Sequence, residues 1–110
     1  MTNKEIIADA KNYQGWTNYE TWAVNLWIEN DENISNQFHD RAIHWDKEKS
    51  TSEYWTQKES AKFNLSDEIK DFVEEESPLA DEASMYTDLL NSAIEEVNYH
   101  EIAEAKLEAI

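Results

Sequence analysis

Thr17-Asn18-Tyr19-Glu20-Thr21-Trp22-Ala23-Val24-Asn25-Leu26-Trp27-Ile28 is the stretch that decides the fold. Thr17 and Glu20 stand in the capping-box pattern, where a Thr hydroxyl and a Glu carboxylate each satisfy a backbone N–H at a helix start. Gly15 just before them permits a sharp entry of the chain. Tyr19, Trp22, Ala23, Val24, Leu26, Trp27 and Ile28 surround most of a helical cylinder. A helix with that distribution is expected to sit centrally, with its rings filling the core. It is expected to stop near Asn30-Asp31.

The flanking segments follow the same period. A second helix is read from about Glu32 to Lys49, because Ile34, Phe38, Ala42 and Trp45 recur on one face. A third begins around Ser52, with Trp55, Ala61, Leu65, Ile69, Phe72 and Val73 inward, and a break is expected at Asn64-Leu65-Ser66, where Ser66 would cap a new segment. Ser77-Pro78 reads as a stop and restart, since Pro suits the first helical position and Ser the cap. Leu79, Ala83, Tyr86, Leu90, Ala93 and Val97 continue at helical spacing. Asn98 is expected to cap a last helix carrying Ile102, Ala103, Leu107 and Ile110. Residues 1–14 are weakly patterned and are read as a short helix or a mobile arm. One glycine and one proline in 110 residues, with no long alternation of apolar and polar positions, point away from β structure. The expectation is a single all-α domain over residues 1–110, a compact bundle of four or five helices.

Charge divides the chain. The net charge is −16, and residues 63–110 carry −12 of it, with fourteen acids against Lys70 and Lys106. Such a balance disfavours nucleic acid and anionic membranes as direct partners and favours basic proteins, cations or simple solubility. There are no cysteines, which excludes disulfides and thiolate metal sites. With only the short apolar run Ile6-Ile7-Ala8 near the start, and nothing near the length of a membrane span, the chain is expected to be soluble and cytoplasmic.

The chemistry-bearing residues are mostly carboxylates. Asp67, Asp71 and then Glu74 or Glu75 follow at steps of three or four, opposite Ile69, Phe72 and Val73, and each four-residue step advances about 6 Å. Such a row spaces negative charge somewhat like the phosphates of a nucleic-acid strand, and Asp81 and Glu82 extend it. Like charges at this spacing repel by a few tenths of a kcal/mol per pair. Solubility alone would not need that cost, although a charge run is more often a solvated face. Tyr13 and Trp16, ahead of the first helix, are the aromatic residues expected to be partly exposed for a partner, since Trp and Tyr dominate binding hot spots.

Glu96, His100 and Glu104 would share a face only if one helix ran through Asn98, where a helix start is expected instead. Asp40 and His44, with His39 adjacent, match no metal or catalytic spacing such as His-Glu-x-x-His. Neither set is taken as a metal site. No Ser-His-Asp arrangement or Gly-rich phosphate loop is apparent, and an enzyme is not expected. No cofactor is implied.

Gly15-Trp16-Thr17-Asn18-Tyr19-Glu20-Thr21-Trp22, followed by Asn25-Leu26-Trp27-Ile28, resembles the signature of a group of small, largely uncharacterised proteins carried by phages, plasmids and diverse prokaryotic genomes. Asp88-Leu89-Leu90, Val97-Asn98 and Glu101-Ile102-Ala103 resemble that group's second block, with Tyr99 where the group would carry Trp. The resemblance implies a mobile-element setting, in which small acidic proteins often block host defence or DNA-handling enzymes. It carries over no catalytic residue. The leading expectation is an inhibitor or modulator that binds a basic, nucleic-acid-binding site on a host protein by charge mimicry. The alternative is an interaction or scaffold module that uses the aromatic N-terminal segment, with the acids serving solubility. Apolar faces in excess of one core would make a homodimer.

Overall fold

The computed structural model describes residues 13–50 and 53–110. Among them the chain forms a short 3-10 turn, Tyr13–Gly15, and five helices: α1 Tyr19–Asn30, α2 Glu32–Lys47, α3 Gln57–Glu75, α4 Met85–Glu95 and α5 Tyr99–Glu108. The fold is the all-helical, compact bundle expected from the periodicity, with no strand among the described residues. The short-helix or mobile-arm reading of the first residues, and the third-helix start at Ser52, lie largely outside the described residues. Tyr13 and Gln14 belong to the turn.

Each helix start has a side-chain cap. Asn18, Asp31, Thr56, Ser84 and Asn98 each accept from a backbone N–H three residues on, satisfying one of the orphan donors of the first turn. The expected cap at Asn98 is therefore present. The Thr17–Glu20 capping box is not. Asn18 caps α1, and the Thr17 hydroxyl donates instead to Glu101, 2.7 Å away. A charged acceptor on α5 holds that hydroxyl, and Asn18 performs the cap one position later.

α3 runs unbroken through Asn64-Leu65-Ser66. Ser66 is buried and its hydroxyl donates back to the Phe63 carbonyl at 2.8 Å, a bond compatible with a continuing helix. With Leu65 and Ile69 fully buried on either side of Ser66, packing overrides the break expected from the polar pair. Pro78 does not open a helix either. Residues 78–82 form turns, and α4 starts at Met85 behind Ser84. Leu79 and Ala83 therefore fall outside α4. Ile110 lies past the end of α5 and is exposed.

The core is built from Ile28, Phe38, Ala42, Leu65, Ile69, Val97, Tyr99, Ile102 and Ala103. Burial of each large member stabilises the fold by about 1.5–3 kcal/mol relative to exposure. α3 packs most extensively on α5 and α2, α2 also on α5, and α1 lies against α2 and α5. α4 is different: among the described helices none packs along its length, although Ile94 near its end reaches the core.

That arrangement corrects the expectation for α1. Only Thr21 and Ile28 of this helix are buried, whereas Leu26 is exposed and Trp27 is 75% exposed. Trp16 and Trp45 border the core without entering it. Trp55 precedes α3 rather than lying inside it; it is about half exposed and sits edge-on to Phe63 at 4.8 Å. An apolar cylinder is wrapped only where neighbours exist, and the stand-off of α4 leaves the Trp27 side open.

Candidate binding surfaces

Residues from the start of α1 and the start of α5 come together first. The Thr17 amide and hydroxyl donate to the two carboxylate oxygens of Glu101 at 2.9 and 2.7 Å. The Asn18 side-chain amide donates to the Glu96 carbonyl at 2.7 Å, while its oxygen accepts from both the amide and the hydroxyl of Thr21. The Thr21 hydroxyl in turn accepts from the Asn98 amide at 2.8 Å. Asn98 caps α5 through the Glu101 amide. Two helix caps, nearly eighty residues apart in sequence, thus share one hydrogen-bonded clasp. Thr21 is fully buried, so loss of its hydroxyl would orphan polar groups where water cannot replace it. This network gives Thr17, Asn18, Thr21, Asn98 and Glu101 a structural role.

The turn leading into the clasp requires left-handed backbone. Gly15 has φ +95°, and Tyr13 and Gln14 have φ 45° and 55°. Non-glycine residues adopt that region at a cost of about 1–2 kcal/mol each. The turn is closed by the Trp16 amide donating to the Tyr13 carbonyl at 3.0 Å and by the Tyr13 ring edge-on to Tyr19. Tyr13 and Trp16 are both half-buried, as expected, but Trp16 packs against the core. The freely presented indole is Trp27, which the sequence pattern had assigned to the interior.

The acidic surface is more selective than a count of carboxylates implies. Asp67, Asp71, Glu74, Glu75, Asp81 and Glu82 are all exposed, and none joins an ion pair among the described residues. At 100° per residue the first four fall within an arc of about 100° on α3, facing away from Leu65 and Ile69. Asp81 and Glu82 project from the turns that follow. Lys70 flanks this row, exposed, on the Glu74 side.

Other acids serve the fold. Glu68 receives two hydrogen bonds from Arg41, at 2.6 and 2.8 Å, and one from the Trp45 indole at 2.6 Å. Burial pushes its carboxyl up, but the bonds from Arg41 and Trp45, with the charges of Arg41 and His44, outweigh this and hold it below its ordinary value. The same hydrogen bond raises the Arg41 guanidinium. Glu29 pairs at 2.5 Å with Lys106, which is only 6% exposed and ties α5 to α1. Glu104 lies 3.7 Å from Lys62.

His100 sits edge-on to Phe63 at 5.0 Å, and the helix start at Asn98 separates it from Glu96. Among the described residues no three His, Asp or Glu side chains gather as a metal would require. No described helix is long and apolar enough to cross a membrane.

Among the described residues an open groove of about 1030 Å³ lies between α1, the C-terminal half of α3 and α4. Val24, Trp27, Phe72, Val73, Leu90 and Ile94 form much of its apolar wall, and among the described residues Glu20, Asp31 and Glu76 are the charged ones in the lining. The outer face of α4 adds Met85, Tyr86 and Leu89, all mostly exposed. Tyr86 was expected inward. It shares the stripe of Leu90 and Ala93 but lies a turn earlier, beyond the residues that wall the groove. Burial pushes the Tyr99 hydroxyl up to about 12, with Glu74 adding to the effect, and that hydroxyl donates to the Ile94 carbonyl at the far end of α4.

No curated protein and no solved structure matches the chain. A family model, described as a family of unknown function (DUF7249), matches residues 9–106, nearly the whole length, and the chain belongs to that family.

Proposed function

We propose that the protein is a non-catalytic inhibitor or modulator, of phage or plasmid type, that acts in the cytoplasm on a basic, nucleic-acid-binding site of another protein. The single observation in favour is the row Asp67, Asp71, Glu74 and Glu75, exposed and unpaired on one face of a helix whose opposite face is locked in the core. A rigid row competes for a groove without first having to be ordered, which lowers the cost of binding. The net charge of −16 would steer a basic partner toward it and make association fall as salt rises. Carboxylates that the fold needs, such as Glu68 and Glu101, are spent on structure and do not contribute to this row.

The test is affinity capture from a bacterial lysate at low salt, run beside a variant combining Asp67→Asn, Asp71→Asn, Glu74→Gln and Glu75→Gln. Nucleic-acid-binding proteins are expected on the wild type, released at about 0.5 M salt, where the Debye length is only a few ångströms, and absent from the variant. Equal recovery by the variant, or no such protein on either, would remove the proposal.

A further inference from the structure

The groove beside α4 belongs neither to the clasp nor to the acidic row, and its composition is one-sided. We infer that it receives an amphipathic helix of a partner protein, apolar on one face and bearing Lys or Arg on the other. This rests on the reading of the protein as a binding module but not on charge mimicry, because the row on α3 faces away from the groove.

Four observations carry the inference. The walls are apolar and open along one side, a shape that would leave a small molecule half in water but suits the side-chain stripe of a helix. Trp27 stands at the rim, 75% exposed on a rigid helix, where its ring would lose most of its contact with water only on binding. Every charged residue among the described residues of the lining is an acid, Glu20, Asp31 or Glu76, with no Lys, Arg or His beside them. A helix seated on the apolar strip would bring its polar face against those carboxylates, and only a basic face complements them. Finally, the Ser77 hydroxyl, on a residue of the same lining, is buried with no hydrogen-bond partner among the described residues, a polar group whose partner the described fold does not supply.

A second copy of this chain fits less well. Each copy carries −16, and the exposed apolar helix it would offer, Met85–Glu95, contains Asp88 and Glu95 with no base. Like charges would then face the acidic rim.

The test titrates the full chain, by tryptophan fluorescence, with three synthetic peptides. One places Leu at i, i+3, i+4 and i+7 with Lys elsewhere, the second is a scrambled version of the same composition, and the third replaces Lys by Glu. The amphipathic Lys peptide should bind at least about ten-fold more tightly than either of the others. Trp27→Ala, and separately Ala93→Arg, should each weaken that binding about ten-fold with unchanged helical circular dichroism. The quadruple substitution on α3 should leave the preference for the amphipathic over the scrambled peptide intact. Equal binding of amphipathic and scrambled Lys peptides would overturn the groove while leaving charge mimicry standing. Equal binding of the Glu peptide would overturn it as well. Sedimentation showing a dimer that Trp27→Ala dissolves would assign the groove to a second copy and overturn it too.

Discussion

The α1–α5 joint and the α4 side of this small bundle are built on opposite terms. At the joint, Thr17, Asn18, Thr21, Asn98 and Glu101 interlock through hydrogen bonds of 2.6–3.1 Å, and Lys106 reaches Glu29 from a nearly buried position. On the other side, α4 stands apart over an apolar groove and shows Met85, Tyr86 and Leu89 to solvent. Both regions contain residues of the stretches 15–28 and 88–103. Trp27 and Leu89 fall in those stretches yet lie mostly exposed on the loose side. The contrast separates residues that the fold requires from residues available for contact.

Hydrogen exchange should give the largest separation between the two regions. Amides of α4 should exchange by local opening about 100-fold faster than those of Ile102 and Ala103 in α5, since few buried contacts resist that opening. Equal protection would show that α4 is as firmly docked as the rest and would erase the contrast.

Next in size is the joint itself. Thr21→Val keeps the shape but removes the hydroxyl that accepts from the Asn98 amide and donates to Asn18. A buried N–H left without a partner should lower stability by about 2 kcal/mol in urea denaturation. A loss below about 0.5 kcal/mol, the range of ordinary surface changes, would mean that the clasp is ornamental.

A smaller effect is expected at Glu68. Glu68→Gln should cost about 1 kcal/mol at pH 7, a value kept low because the ion pair is partly solvated. The sign of its pH dependence follows from the folded-state carboxyl lying below its unfolded value. The stability it adds is complete above the unfolded pKa and disappears as pH falls through the lower folded value. Wild type and variant melting temperatures should therefore converge in acid. A constant gap would refute the pairing.

The smallest effect belongs to α4. Met85→Ser and Leu89→Ser should change stability by no more than about 0.5 kcal/mol, because both side chains are already exposed. A large loss would show that these residues pack in solution, as they would in a dimer.

Much of the helical skeleton was legible from spacing. Phe38, Ala42, Leu65, Ile69, Ile102 and Ala103 were expected inward and are buried, and Asn98 caps the last helix. The failures share one cause. Thr17 matched a local capping pattern, but Glu101 offered a stronger acceptor. Ser66 matched a break, but the burial of Leu65 and Ile69 kept the helix whole. Trp27 looked like core because apolar residues surround α1, whereas exposure depends on which neighbours arrive. Of the acids, Asp67, Asp71, Glu74 and Glu75 were read opposite the apolar face and are exposed, but nothing local distinguished Glu68, with its Arg41 and Trp45 partners, from the carboxylates beside it.

The order of residues alone determined that this chain is helical, roughly where each helix lies, and which stripes of α2, α3 and α5 turn inward, because those properties follow from a 3.6-residue period and from caps three residues away. Only the tertiary structure decided that α4 would stand off, that Trp27 would face water, and that Thr21 and Asn98 would meet. Those outcomes depend on contacts between residues far apart in sequence, and no local spacing encodes them.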